Sequence, residues 1–221
     1  MFDRHGVAKR LQDSKQGTYK IDKSKSAVEL NNTKAFPENV EFEALLTFSG
    51  EAKGNLIRSV SPDPNNVTVV QHHSFIKLPD SKYKPRKFDP RSGAISISYM
   101  DYSTPIDEPI TKKYIIRHRL EKKNPELEIS EAVEPIIYYL DPGTPEPVKS
   151  ALLDGGKWWN QAYESIGFKD AFQVKMLPEG VDPLDCRYNV IQWVHRSTRG
   201  WSYGASVVDP RTGEIIKGHV S

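Results

Sequence analysis

Alternating apolar and polar residues recur in the first half of the chain and predict strands there. Residues 40–48 (VEFEALLTF) and 67–78 (VTVVQHHSFIKL) follow this pattern, and a turn-forming SPDPNN segment precedes the second of them. In residues 94–100 (AISISYM), the large apolar side chains would lie on one face of a strand and the serines on the other. These patterns predict an antiparallel, β-rich unit.

The second half predicts a mixed sheet with one long helix packed on it. Residues 135–141 (PIIYYLD) predict a buried strand, and a helix follows, with Thr144 as its N-cap and Gly167 just beyond its last turn. Gly155 and Gly156 lie inside this helix, where glycine is unfavourable, so we expect the helix to approach the sheet closely. Further strands are predicted over residues 172–177 and 188–196 and on both sides of the turn DPRTG at residues 209–213.

Between these halves, the chain becomes charged, rich in proline and only weakly periodic. Residues 110–120 form a short amphipathic segment whose pattern fits either a strand or a helix. A domain boundary is therefore predicted near residues 121–133. It separates a β-rich N-terminal domain, residues 1–125, from a second domain, residues 131–221. The fold class predicted for the whole chain is α+β.

Composition narrows the possible functions mainly by exclusion. The 221 residues carry 31 basic and 29 acidic side chains, and this balance lacks the basic excess expected of a nucleic-acid-binding protein. A single cysteine, Cys186, rules out an intrachain disulfide. No run of about 18 apolar residues is present, so no transmembrane helix is expected. The N-terminal residues also lack the apolar core of a signal peptide.

Side chains suited to catalysis do not form a recognisable motif. None of the six histidines lies in the His-Glu-x-x-His spacing of a zinc-binding helix. His72 and His73 are adjacent on a predicted strand, so they point to opposite faces and would not readily hold one ion together. Neither a glycine-rich phosphate loop nor a Gly-x-Ser-x-Gly turn is present. No catalytic residue and no metal ligand is therefore assigned to this chain.

The last strand of the chain, within GEIIKGHVS at residues 213–221, is expected to be an edge of the sheet. An edge strand offers unpaired N–H and C=O groups that can bind an extended peptide. The alternative is an interior strand whose partner lies beyond Ser221.

Two long segments carry a resemblance to a known family. They are IIYYLDPGTPEPVKSALLDGGKWWNQAYESIGFKDAF and LPEGVDPLDCRYNVIQWVHRSTRGWSYGASVVDPRTGEIIKGHV. Together with FDPRSG, SYMDYSTPIDEPI and YIIRHRLEKKNP, they resemble large bacterial zinc-dependent metalloproteases related to the metzincins. The resemblance covers more than half of the chain, from about Phe88 to Ser221. The residues before Phe88 look like the β-rich N-terminal domain of that family.

This resemblance implies a β-rich N-terminal domain joined to the first half of a metzincin-like catalytic domain. In that family, a helix with the His-Glu-x-x-His motif comes after the GEIIKGHV strand, binds zinc and supplies the general base. Because that part is missing here, the chain is expected to bind no catalytic zinc and to be inactive alone. Zinc and the remaining half of the catalytic domain would belong to the parent enzyme, which is expected to be exported to the periplasm or cell surface.

The resemblance also implies which residues bind substrate. In metzincin-like folds, an edge strand forms the upper wall of the active-site cleft and pairs antiparallel with a peptide substrate. The corresponding substrate-binding residues are Glu214, Ile215, Ile216, Lys217, Gly218, His219 and Val220, with Trp201 and Tyr203 in the preceding loop. The alternative function is a stand-alone, non-catalytic module that binds a peptide or a protein.

Overall fold

The computed structural model of the protein describes residues 2–196 and 200–221. The chain divides into two compact units, Met1–Ile76 and Lys77–Ser221. The described residues are rich in strands and poor in helices, which confirms the predicted α+β class. Whereas the sequence pattern places a boundary near residues 121–133, residues 77–123 here belong to the same compact unit as the later strands.

The first unit contains a four-stranded antiparallel sheet and two short helices. Its elements are α1 (Val7–Asp13), β1 (Gly17–Ile21), β2 (Ala27–Ala35), β3 (Asn39–Ala52), α2 (Asn55–Val60) and β4 (Asn66–Ile76). β3 is the central strand and pairs with β1, β2 and β4, in each case antiparallel. The strands predicted at residues 40–48 and 67–78 correspond to β3 and β4.

One face of this sheet carries the core of the first unit. Leu46 and Phe48 on β3 are almost completely buried, and Tyr19 on β1 packs against them. Because side chains alternate along a strand, the intervening positions of β3 form the opposite face, which is largely polar. There, the carboxylate of Glu41 is buried, and one of its oxygens lies 2.7 Å from Nε2 of His72. The first unit therefore has a hydrophobic core of its own.

The second unit is built around a five-stranded mixed sheet. Its elements are β5 (Ser96–Met100), β6 (Thr111–Ile115), β7 (Ser130–Glu131), β8 (Ile136–Leu140), α3 (Val148–Lys157), α4 (Trp159–Glu164), β9 (Phe168–Lys169), β10 (Phe172–Met176), β11 (Asn189–Ile191), β12 (Gly204–Val208) and β13 (Ile215–Val220). The order of the large sheet is β10-β8-β11-β13-β12. Its first four strands run parallel, and β12 runs antiparallel to β13.

Two small pairs complete the second unit. β5 pairs antiparallel with β6, and β7 pairs in parallel with β9. β6 lies within residues 110–120, so the strand alternative holds for the first part of that segment. Just after β6, the N–H of Arg117 donates to the Gly213 carbonyl (3.1 Å), and the Arg117 carbonyl accepts from the N–H of Ile215 (2.9 Å). These bonds join the chain after β6 to the start of β13.

The predicted long helix is present as two successive helices, α3 and α4, with Trp158 between them. The predicted N-cap is wrong, because α3 begins at Val148, several residues after Thr144. The Thr144 hydroxyl instead donates a hydrogen bond to the carbonyl of Asp141 (2.8 Å), which closes the turn that follows β8. Gly167 has a positive φ of 85° and donates its N–H to the Glu164 carbonyl at the end of α4, as a residue that terminates a helix does.

The close approach of helix and sheet is confirmed at one of the two helical glycines. A Cβ atom on Gly156 would lie 2.2 Å from Cγ2 of Val174 on β10, whereas a Cβ atom on Gly155 would meet nothing within 4 Å. Further along, the ring of Tyr163 on α4 stacks on that of Phe172 on β10, with ring centroids 5.9 Å apart. The missing side chain at position 156 therefore allows α3 to pack directly on the sheet.

Candidate peptide-binding edge of the second sheet

The structure places β13 inside the sheet, so the prediction that the last strand is an edge is wrong. On one side, Tyr203 and Ser221 exchange two backbone hydrogen bonds of 2.9 Å, which extend the β12–β13 ladder. On the other side, the N–H of Gly218 donates to Oδ1 of Asn189 on β11 (2.7 Å). The turn at residues 209–213 brings the chain back between β12 and β11, so the antiparallel strand is left on the outside.

The residues predicted to bind substrate from this last strand hold the sheet together instead. Lys217 donates from Nζ to the carbonyls of Pro183 (2.5 Å) and Asp185 (2.9 Å), which ties β13 to the loop between β10 and β11. Gly218 is buried, and a Cβ atom there would lie 2.1 Å from the hydroxyl of Tyr138. The others are partly buried within the sheet: Ile215, Ile216, His219 and Val220. β12 pairs with β13 along its length and β11 pairs with its C-terminal part, so β13 is not an outer strand of the sheet.

Glu214, the first of the predicted residues, forms a buried ion pair. Its side chain is 7% exposed, and its two carboxylate oxygens accept hydrogen bonds from Nε and Nη2 of Arg119 at 2.7 and 3.0 Å. Arg119 also donates to Asp80 (2.9 Å), and these two hydrogen-bonded carboxylates raise the pKa of the guanidinium. Glu214 therefore anchors β13 and has no carboxylate oxygen directed toward a peptide.

β12 and β10 are the two outer strands of the five-stranded sheet, and no strand among the described residues pairs with the outer side of β12. Tyr203 and Ser221 form a hydrogen-bonded pair, so in the alternating antiparallel ladder the next such pairs are Ala205–His219 and Val207–Lys217. The N–H and C=O groups of the residues in between, Gly204 and Ser206, therefore point away from β13. Both residues are exposed. A peptide that pairs with β12 would find these unpaired groups in the geometry of a strand.

The turn that joins β12 to β13 is held rigidly. Asp209 is fully buried, and its carboxylate accepts hydrogen bonds from the backbone N–H (2.8 Å) and the guanidinium of Arg211 (3.0 and 2.7 Å). These bonds from Arg211 hold the pKa of Asp209 below its usual value. Arg211 also donates to the carbonyl of Pro79 (3.0 Å), and Arg119 binds Glu214 and Asp80 as described above. The segment around residues 79–80 and the one near residue 119 thus brace the hairpin that presents β12.

The two predicted loop residues, Trp201 and Tyr203, do lie at the N-terminal end of β12. Trp201 is 70% exposed and Tyr203 is 49% exposed. The ring of Tyr203 contacts His219, with centroids 6.3 Å apart, and burial together with the neighbouring Lys217 lowers the pKa of His219. The structure therefore brings these two aromatic residues to the β12 edge. The seven residues from Glu214 to Val220 lie on the inner side of β12, in β13 or just before it.

A groove of about 530 Å³ opens next to Trp201, beyond the carboxyl ends of β11 and β13. Open α/β sheets bind ligands in crevices at this end of their parallel strands. The indole Nε1–H of Trp193 donates to Nε2 of His195 (3.0 Å), and the guanidinium of Arg196 lies 4.8 Å from the ring centroid of Trp201. Residues 197–199 of the predicted loop lie outside the described residues.

The described side chains do not assemble a metal centre. Within residues 2–196 and 200–221, no group of three or more histidine, cysteine, aspartate or glutamate residues is placed to hold a metal ion. The residues present therefore do not fit the zinc ion that the resemblance implies for a parent enzyme. The feature of this unit that suits a binding site is the outward backbone edge of β12.

β12 was not predicted to be the edge, although the pattern of a strand before the turn is visible in the sequence. The segment YGASVV directly before the turn predicts a partner for the last strand, and one strand of a hairpin must lie farther out than the other. The outer strand of this hairpin is β12, because β13 pairs in parallel with β11 on its other side. A parallel pair forms through a long connection and leaves no local mark in the sequence.

Comparison with known proteins assigns a family but no activity. Residues 1–123 match a family model described as a domain of unknown function (DUF5117). The match covers more than half of the 221 residues, and the chain belongs to this family. No curated protein and no solved structure matches it. Among the described residues, moreover, no helix has the length and apolar character needed to cross a membrane.

Proposed function

We propose that this member of the DUF5117 family binds extended peptides by strand addition to β12, and that it does so as part of a metzincin-like, zinc-dependent peptidase. The observation that carries the proposal is the exposed antiparallel edge at Gly204 and Ser206, which no strand among the described residues covers. Main-chain hydrogen bonds to such an edge supply affinity without requiring a particular peptide sequence. Substrate is therefore a peptide or protein segment in the extended conformation.

Two features of the second unit support this assignment. The sheet is mixed and one helix pair packs on it, as the resemblance to the metzincin-like family implies. That resemblance also implies a cleft wall made by an edge strand, and β12 meets the requirement better than β13. Zinc, export of the parent enzyme and peptide-bond hydrolysis enter the proposal through the resemblance alone.

The test removes the outward N–H of β12 at residue 206. In Ser206→Pro, the outward N–H donor is lost and the proline ring lies where a peptide strand would pair. The hydrogen bonds between β12 and β13 are kept, because the N–H and C=O groups of residue 206 point away from β13. We expect the affinity for extended peptides to fall about tenfold or more, measured by fluorescence anisotropy. Ser206→Ala is the matched control, since it removes the same hydroxyl and keeps the N–H.

Equal peptide affinity of Ser206→Pro and Ser206→Ala, with both variants folded by circular dichroism, would contradict binding at β12. Gly218, one of the residues predicted to bind substrate, is unsuitable for such a test. Its N–H bonds to Asn189, and any side chain there would collide with Tyr138, so a proline at that position would disrupt the sheet itself.

The stand-alone binding module uses the same β12 edge and remains the second candidate. The two candidates differ in what the gene encodes after Ser221. A reading frame that runs into a His-Glu-x-x-His helix supports the peptidase. A stop codon directly after Ser221 supports the module, and attention then moves to the proteins that this edge captures.

A further inference from the structure

The side chains along β12 alternate between the two faces of the sheet. Tyr203, Ala205 and Val207 lie on one face, and Gly204 and Ser206 lie on the other. The pairing of β12 with β13 shifts register only after Val207, so the alternation is regular over residues 203–207. A peptide that pairs with the outer side of β12 therefore meets a different set of side chains on each face.

The face with Tyr203 and Val207 carries the apolar side chains of the edge. Tyr203 is half exposed, and Val207 is 41% exposed. Between them, Ala205 contributes only a methyl group, and its partner on β13 is His219, whose ring contacts that of Tyr203. These residues form a notch at Ala205, called the Ala205 notch here, with an aromatic ring on one side and a branched aliphatic side chain on the other.

The opposite face of β12 offers little to an apolar side chain. Gly204 has no side chain, and a Cβ atom there would meet nothing within 4 Å. Ser206 is exposed and ends in a hydroxyl group. An apolar side chain of a bound peptide would therefore lose much less contact with water on this face than in the Ala205 notch.

Backbone pairing determines which peptide residue enters the notch. Gly204 and Ser206 direct their N–H and C=O groups outward, so they form the hydrogen-bonded pairs with an added antiparallel strand. The peptide residue between these two pairs lies opposite Ala205 in a non-hydrogen-bonded pair, where the Cα atoms are only about 4.5 Å apart. Residues directly opposite each other share a face, so this side chain enters the notch and lies diagonal to Tyr203 and Val207.

We propose that β12 selects extended segments with a large apolar side chain opposite Ala205 and a second apolar side chain two residues away. The inference rests on the proposed binding of peptides to β12 and names the class of segment that this site takes. Tyr203 and Val207 are the specificity-determining residues, since aromatic and β-branched side chains form favourable cross-strand pairs with apolar partners. Segments in which apolar and polar residues alternate are the preferred substrates.

The experiment compares two octapeptides of identical composition on the 221-residue chain. Each carries an N-terminal fluorophore, an amidated C-terminus and two leucines among threonines and serines. The leucines are two positions apart in the first peptide and adjacent in the second. In a strand, leucines two apart share a face and adjacent leucines point to opposite faces, whichever register the peptide adopts. We expect the first peptide to bind about fourfold more tightly, measured by fluorescence anisotropy.

Substitutions identify the notch as the source of this preference. Tyr203→Thr removes the ring but keeps a residue that suits a strand, and it should bring the two affinities to within about twofold of each other. Val207→Thr exchanges a methyl for a hydroxyl and should reduce the preference less. Tyr99→Thr is the matched control, because it removes a partly exposed tyrosine from β5 and should leave the preference intact.

The outcomes separate the inference from the function on which it rests. Peptides that bind wild type and lose affinity in Ser206→Pro, but bind equally well with either leucine spacing, overturn the Ala205 notch and leave β12 binding in place. A preference that survives in both Tyr203→Thr and Val207→Thr, or that is lost equally in Tyr99→Thr, also overturns the notch. Failure of both peptides to bind wild type overturns the proposed function and this inference together.

Discussion

Gly218, on the strand next to the candidate edge, packs closely against Tyr138, which in turn contacts His118. The hydroxyl of Tyr138 occupies the space that a side chain on Gly218 would need. His118 packs edge-on against the Tyr138 ring, with centroids 6.0 Å apart, and its Nε2 lies 3.4 Å from the tyrosine hydroxyl. Burial lowers the pKa of His118 to about 4, because a charged imidazole would lose its hydration there. The imidazole is therefore neutral in the folded protein at neutral pH.

This depressed pKa predicts a loss of stability on mild acidification. Between pH 6.5 and about 4, the unfolded chain binds a proton at His118 that the folded chain does not, so the free energy of unfolding falls as the pH falls. From pH 7 to pH 5, the loss should be on the order of 1–2 kcal/mol. His118→Phe keeps the ring contact and should flatten this part of the profile, measured by urea unfolding at each pH. The exposed His195→Phe is the control, and equal slopes for His118→Phe and wild type would refute the prediction.

Among the secondary-structure elements, the hairpin of β12 and β13 depends on ion pairs that reach it from the chain after β4 and after β6. Arg119 binds Glu214 and Asp80, and Arg211 binds both Asp209 and the carbonyl of Pro79. Two of these carboxylates, Asp209 and Glu214, are almost completely buried. A buried carboxylate is tolerated only while its partner is present, so these contacts are costly to break even where their net contribution is small.

Arg119→Gln should therefore destabilise the second unit by about 3 kcal/mol, because it leaves the Glu214 carboxylate buried without a guanidinium. Arg91→Gln is the matched control. Arg91 also pairs with a carboxylate, that of Asp89, but its side chain is 89% exposed, and we expect a change of about 0.5 kcal/mol or less. Adding Glu214→Gln to Arg119→Gln should recover part of the loss. Chemical denaturation measures all four proteins, and similar effects for the two arginine variants would contradict the argument.

For the whole molecule, the family match and the compact units divide the chain at different places. The match ends at residue 123, whereas the units divide between Ile76 and Lys77. Residues 77–123 contribute β5, β6 and the backbone bonds of Arg117 to Gly213 and Ile215. The end of the DUF5117 match therefore belongs to the second unit and is hydrogen-bonded to the start of β13, the strand next to the candidate binding edge.

This arrangement predicts different behaviour for two truncated chains. Residues 77–221 should unfold cooperatively on heating, because the whole compact unit is retained. Residues 124–221 lack Arg117 and Arg119 and leave Glu214 buried and unpaired, so they should give no cooperative transition. Near-ultraviolet circular dichroism during thermal unfolding measures both. A cooperative transition of similar midpoint in residues 124–221 would show that residues 77–123 are dispensable for the sheet.

Much of the local structure could be predicted from periodicity and turn chemistry, and the candidate site could be predicted only in part. β3, β4, β8 and β10 appear where alternating or continuous apolar runs predict them. Trp201 and Tyr203 lie beside the candidate edge, and their role in binding stays a prediction. Of the residues assigned to the edge itself, Ile215–Val220 form an interior strand and Glu214 comes just before it. Ile215–Val220 does form a strand, as predicted, but its place in the sheet was predicted wrongly, because its residue pattern fits an edge strand and an interior strand equally well.

The sequence by itself determined which segments form strands, where the Asp-Pro turns lie, and that Gly156 permits a helix to touch a sheet. These features depend on residues close together along the chain. Only the tertiary structure decided that β13 lies between β11 and β12, that Gly204 and Ser206 direct their backbone groups away from β13, and that Arg119 reaches Glu214. Such contacts join residues far apart in sequence, and the free energy that selects them comes from packing and charge pairing of the folded chain as a whole.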